Sequence, residues 1–296
     1  MARRPEAIAV LGRAVRTPQG AIGLVIAGCV ILTAAIGPAV APYSSTAFVT
    51  APFARASRVA WLGGDILGRD VLSRTLDGGW ELLVMAAIAT ALGVGVGAAL
   101  GVMAAYYGGW WDSAIMRTVD VILAFPQLVF ALLLVSILGP KIWLIVLAVA
   151  ISHMPQVARV ARSSALDISE RDYVKAMQIL GIPGRRIIRR DVLPNLTSVL
   201  MVEIGLRLTY SMLVIAGLSF LGFGLQPPTA SWGLMINENR VGLIANPWGV
   251  LMPAILIALF TIGVNTFTDS VARASLGVGG RATEPEPVAL VAREVT

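Results

Sequence analysis

An all-α polytopic membrane protein with six transmembrane helices is what this sequence predicts, on three observations. Charged residues make up 14% of the 296 positions and hydrophobic ones 57%, where a soluble domain carries about 25% charged residues. Six apolar runs reach the roughly 20 residues that a helix needs to cross a bilayer core. Lysine and arginine then crowd into alternate connections, as the positive-inside rule expects.

Residues 1–19 form a basic N-terminal segment and 20–42 the first span. The basic start, the apolar run and the Ala39-Val40-Ala41 triplet also resemble a cleavable signal peptide. Signal peptides have apolar cores of roughly 7–15 residues. This run has spanning length, so it reads as a retained helix. A polar loop covers 43–80, and 81–268 holds five further spans, near 81–106, 118–138, 142–161, 200–224 and 248–268. A short turn with Trp110 and Trp111, a tight turn at Gly139-Pro140, a basic loop at 162–196 and a Pro/Trp-rich loop at 225–247 join them. The Gly/Pro/Glu-rich tail 269–296 reads as disordered.

With the N-terminus inside, most of the 23 lysines and arginines share the inner side, against Arg55, Arg58, Arg69, Arg74, Lys141 and Arg240 outside. Both termini are then cytoplasmic. The net charge of +6 is therefore mostly a topological signal, which argues against nucleic-acid binding. The single cysteine, Cys29, permits no intrachain disulfide and no cysteine-based metal site.

Several stretches are candidates for chemistry. Gly93, Gly97 and Gly101 in "ALGVGVGAALG" lack the strand-to-helix context of a dinucleotide fingerprint. At a spacing of four they instead mark a face for close helix packing. His153 is the only histidine and has no Cys/Asp/Glu cluster near it in sequence. Glu203 and Arg207 are four apart at the start of the fifth span, and fit either an intrahelical pair or a gate or pathway contact. Asp65, Asp70 and Asp77 do not follow EF-hand spacing. No Gly-x-x-x-x-Gly-Lys-Ser/Thr loop occurs, so no ATP site is expected on this chain. No catalytic residue, bound cofactor or metal is expected either.

"MQILGIPGRRIIRRDVLPN", residues 177–195, is the most basic stretch. Tyr173, Met177 and Leu180 fall on one face of a short helix that Gly181-Ile182-Pro183-Gly184 stops. At 100° per residue, Arg185, Arg186, Arg189 and Arg190 then occupy about 140° of arc, opposite Ile187, Ile188 and Val192. A basic loop on anionic headgroups is one reading. A rigid elbow with split faces favours the other, docking into a partner.

"RDYVKAMQILGIPGRRIIRRDVLPN" resembles the EAA loop of ABC importer permeases, through Tyr173, Ala176, Leu180, Gly181, Arg185, Ile187, Ile188, Leu193, Pro194 and Asn195. "WLGGDILGRDVLSR" resembles the "LGTDxLGRDVLSR" signature of dipeptide, oligopeptide and nickel permeases, and "GLSFLGFGLQPPTASWGLMI" the outer loop of their C-type subunit. Departures are Lys175 for the usual Glu, Met177 for Ala, Asp191 for His, Gly64 for Thr and Ile215 for Glu.

The resemblance implies the type I ABC importer architecture in a bacterial cytoplasmic membrane. It implies a second homologous permease subunit, two ATP-binding subunits that hold ATP and Mg2+, and an external substrate-binding protein. Tyr173, Lys175, Ala176, Leu180, Gly181, Gly184, Arg185, Arg189, Asp191 and Pro194 are the expected ATPase-coupling residues. Asp65, Arg69, Asp70, Gln226, Pro227 and Trp232 are the candidates for binding-protein contact, and Glu203 is the acid that could stand in for the one missing at Ile215. Short peptides are the expected cargo, with nickel or another small solute as the alternative. A secondary transporter would show mid-span acids or inverted repeats, and none is evident. A membrane-anchored scaffold would need a folded soluble domain, for which no segment is long enough.

Overall fold

The computed structural model describes residues 6–275. The order is α1 (Glu6–Arg16), α2 (Pro18–Val40), α3 (Val71–Asp77), α4 (Trp80–Tyr107), α5 (Gly109–Leu123), α6 (Gln127–Leu138) and α7 (Ile142–Ser169). There follow α8 (Asp172–Ile179), α9 (Gly184–Ile187), a π turn (Ile188–Val192), α10 (Leu193–Asn195), α11 (Thr197–Phe220), α12 (Trp232–Asn239) and α13 (Trp248–Ser275). Among the described residues, five helices are long and apolar enough to cross a membrane, and a bent pair makes a sixth if counted as one span.

Helix boundaries follow local chemistry. Thr17 caps α2, its Oγ1 accepting from Gly20 N at 3.0 Å, with Pro18 at the first helical position where a missing N–H costs nothing. The α4–α7 pair is the spine of the bundle. A Cβ on Gly97 would lie 2.6 Å from Met154 O, and one on Gly101 2.3 Å from Ala158 O. These glycines therefore face α7 and let the two backbones touch. Gly23 and Gly263 do the same for α2 and α13: a Cβ on Gly23 would lie 2.7 Å from Gly263 O. Leu82, Ile145, Met212, Ile215, Trp232 and Phe260 fill the main core between the helices.

Five expectations need correction. The third span is not one helix over 118–138: α5 and α6 meet at 84°. Pro126 lacks the N–H that would bond the carbonyl of Ile122, and its backbone is extended (ψ 130), so the helix stops and restarts. Trp110 and Trp111 lie in the first turn of α5 rather than in a turn between spans. The basic loop begins later than 162, because α7 continues to Ser169. The N-terminal segment 1–19 holds a helix, α1, whose Val10 and Ala14 pack on Val271 and Ala274 of α13. The proposed disordered tail loses its first residues to α13, which runs to Ser275; its remainder, 276–296, lies outside the described residues.

The two ends of the bundle differ. One carries α1, the start of α5 and the segment 170–196. The other carries the loops 41–79 and 221–247, which fold together into a cap.

Candidate functional site

The basic segment is an elbow built on a Schellman stop. Gly181 has φ 72, its N–H donates to Gln178 O at 3.0 Å, and Ile182 N–H reaches back to Met177 O at 3.1 Å. That pair of bonds ends α8 and reverses the chain. Gly184 then sits against an aromatic ring: a Cβ there would lie 2.6 Å from Tyr106 Cε1 at the end of α4. A π turn follows, in which Leu193 N–H bonds Ile188 O. It precedes Pro194, which has no N–H for the α ladder.

The split of faces is real, and it differs in one respect from the sequence reading. Ile187, Val192 and Leu196 are buried with Val102, Ala105, Ala165 and Ile168, while Arg185, Arg186, Arg189 and Arg190 are exposed. Pro183 and these arginines line one open cleft. On α8, however, the buried side runs through Val174 and Met177, not through Tyr173 and Leu180. Tyr173, Lys175 and Ala176 are exposed, and Ile179 and Leu180 stand 87% and 77% exposed at the tip. An apolar tip beside a basic cleft is the elbow's outer surface. Asp191 is half-buried and Pro194 exposed; Asn195 Nδ2 donates to Asp191 O at 2.5 Å.

The opposite end corrects the list of outward contacts. Asp65, Arg69, Asp70 and Trp232 are all buried. Asp65 Oδ2 accepts from Arg69 Nε at 2.6 Å and Arg74 Nη1 at 2.5 Å. Asp65 Oδ1 accepts from the backbone N–H of Leu67 and of Arg69, each at 2.8 Å. Glu238 Oε2 accepts from Arg69 Nη2 at 3.0 Å and Arg74 Nη1 at 2.7 Å. Burial pushes the Asp65 carboxyl up, but the Arg69 N–H and the two guanidiniums outweigh it and hold the group below its ordinary value. Asp70 caps α3 through Ser73 N at 2.8 Å. Trp232 Nε1 donates to Thr75 O at 2.8 Å. These residues brace the cap from within. Gln226 and Pro227 are exposed and keep their place among the candidates for outside contact.

Polar side chains also gather halfway along the spans. Arg207 Nε donates to Glu203 Oε2 at 3.0 Å and its Nη1 to Gln156 Oε1 on α7 at 2.6 Å. Its guanidinium lies 5.6 Å from the Tyr210 ring centroid. Glu203 is buried in this pair, so it is no free acid standing in for Ile215, itself a core residue. Gln127 Nε2 and His153 Nδ1 are 2.6 Å apart beside the α5–α6 break. Thr209 Oγ1 donates to Asn265 Oδ1 at 3.2 Å. The sequence reading missed Asn265, Thr261 and Asp269. Their spacing of four in "TIGVNTFTD" was the available signal.

The family described as "Binding-protein-dependent transport system inner membrane component" matches residues 97–275, more than half of the chain. The chain belongs to this family. It is an ABC importer permease subunit, a transport component that crosses the inner membrane several times. The family match takes in most of the α4–α7 spine, the elbow, α11 and α13, and leaves out α1, α2 and most of the cap. The chain is 36% identical over 209 residues to the glutathione transport system permease protein GsiD of Shigella sonnei, covering 71% of this chain and 69% of that one. It is 37% identical over 213 residues to the protein of the same name in Pectobacterium atrosepticum, covering 72% and 71%.

Proposed function

We propose that this permease subunit moves short peptides into the cell, as the C-type member of a pair of homologous permeases. Two ATP-binding subunits carry the ATP and Mg2+, and an external binding protein delivers cargo to the cap. The elbow is cytoplasmic, as are both termini. One observation carries the reading: a rigid elbow holds a bare apolar tip, Ile179 and Leu180, beside a cleft of four arginines. Exposed apolar side chains next to a charged cleft suit a socket in a partner better than a headgroup layer. ATP-driven closure of the partners displaces the elbow, and the bundle above it follows. Peptide cargo is supported by the similarity to glutathione permeases, since glutathione is a tripeptide.

Uptake by the full assembly in vesicles tests this. Purified permeases, ATP-binding subunits and binding protein should accumulate glutathione or dipeptides only with ATP. Accumulation of nickel without any peptide overturns the cargo assignment.

A further inference from the structure

Three polar residues on α13, Thr261, Asn265 and Asp269, are spaced by four and so form one stripe. They meet Leu206, Thr209, Tyr210 and Leu213 of α11, at i, i+3, i+4 and i+7, around a cleft of about 440 Å³. Thr261 and Thr209 lie at the midpoints of helices spanning 248–275 and 197–220. At 1.5 Å per residue, the stripe therefore runs about 12 Å from the middle of the bundle toward the elbow end. The other side of the same two helices is apolar: Ile204, Leu208, Val264, Phe267 and Val271 face Leu24 and Ile31 of α2.

An amide within the span cannot face acyl chains without cost, and Asp269 stands at the inner end of the span, where a carboxylate can meet water or cargo. Within this chain they have little to face. Thr209 engages Asn265 Oδ1, and Asp269 is exposed with no ion-pair partner among the described residues. The nearby Arg207 is already held by Glu203 and Gln156.

We propose that the α11–α13 cleft lines the inner half of the transit path, and that Asp269 and Asn265 there contact the ammonium group and amides of a passing peptide. This rests on the importer reading given above. A carboxylate matches a protonated amino terminus, Asn265 and Thr209 match peptide N–H and C=O groups, and Tyr210 gives a flat wall. The stripe ends on Asp269, so the negative charge stands where cargo leaves toward the cytoplasm.

The test uses the complete importer in vesicles, with Cys29→Ser as background. Thr261→Cys and Asn265→Cys are exposed to a cationic and an anionic membrane-impermeant methanethiosulfonate during turnover, with Ile262→Cys on the neighbouring face as reference. The stripe positions should react faster than Ile262→Cys. At Asn265→Cys the cationic reagent should lead the anionic one by about tenfold, the size of effect one nearby carboxylate exerts in a partly shielded site. That lead should vanish with Asp269→Asn. In uptake assays, Asp269→Asn should slow free-amino peptides about tenfold relative to N-acetylated ones. Labelling no faster than at Ile262→Cys overturns the proposal, as does a charge preference indifferent to Asp269→Asn. So does protection of the stripe throughout the cycle with crosslinking to the second permease, which would make it an interface. If the unsubstituted importer moves no peptide at all, the cargo reading fails, while the labelling still decides the cleft.

Discussion

Arg74 Nη1 donates to Glu238 Oε2 at 2.7 Å, across 164 positions of sequence. The bond joins α3 to α12 and so closes the cap over the bundle. Both partners serve a wider cluster, since Arg74 also reaches Asp65 and Glu238 also receives Arg69. Removing Arg74 leaves Asp65 buried with a single guanidinium, and breaking a buried pair in this way costs about 3–5 kcal/mol. Arg74→Leu should therefore lower the unfolding midpoint of the purified assembly sharply. Glu238→Gln keeps an acceptor at the same place and should cost less, about 1.5–3 kcal/mol for the lost charge-assisted bonds. Thermal unfolding of both variants in one detergent measures the order.

The same cluster sets an acid limit on the cap. Asp65 is held below its ordinary value of 3.8 in the fold, so the unfolded cap binds protons before the folded one does. Its contribution to stability is complete above about pH 4 and disappears as pH falls through the depressed folded value. Limited proteolysis of the loop 41–79 should show cleavage rising only at pH below 4. In Asp65→Asn, cleavage should be high at neutral pH and nearly flat with pH.

Glycines inside α4 make opposite predictions. Gly95 has open space where a Cβ would go, whereas Gly97 would meet Met154 O at 2.6 Å. Gly95→Ala should stabilise the helix by up to about 1 kcal/mol through propensity. Gly97→Ala should destabilise by about 1–3 kcal/mol through overpacking. Unfolding midpoints of the two variants should move in opposite directions; movement in the same direction would contradict the packing described for α4 and α7.

Replacing Gly181 tests the elbow as a transmitting element. Proline cannot adopt φ 72 and lacks the N–H that donates to Gln178 O, so Gly181→Pro breaks the stop at a cost of about 3 kcal/mol. The assembly should lose stimulation of its ATPase by loaded binding protein. Unchanged stimulation would show that the elbow's shape is irrelevant to coupling.

The apolar tip is a separate matter from the elbow's shape. Ile179 and Leu180 touch little within the chain, so Ile179→Ser with Leu180→Ser should leave the permease's own unfolding unchanged. Copurification of ATP-binding subunits should fall at least tenfold, because exposed apolar anchors dominate such contacts. Retention of those subunits at wild-type yield would remove the tip from the interface.

How far the sequence reached can be seen residue by residue. The spans were legible because each must be apolar over about 20 positions, and the Gly93–Gly97–Gly101 face because small residues recur every four. The break at Pro126 was not. Pro38, Pro155 and Pro253 sit inside continuous helices, so proline in an apolar run does not by itself tell a kink from a stop. Asp65 and Arg69 looked like surface groups in a polar loop, since Glu238, which binds Arg69 and completes their cluster, lies 169 positions from Arg69. Hydropathy averaging hid Asn265 and Asp269, because the surrounding "TIGV" and "TF" outweigh them in any window. The elbow was legible in its turn and its basic face. Val174, buried with Met177, was obscured by a neighbour, Tyr173, of similar apolar character.

The seat of Gly184 on Tyr106 has a mechanical meaning. With no Cβ between backbone and ring, the joint has almost no compliance. Any thrust delivered to the arginine cleft passes straight into the foot of α4. From there it enters α7, because Gly97 and Gly101 leave no slack between the two helices. Close packing favours joint movement of the two helices, and the 84° corner between α5 and α6 is the nearest interruption of the bundle.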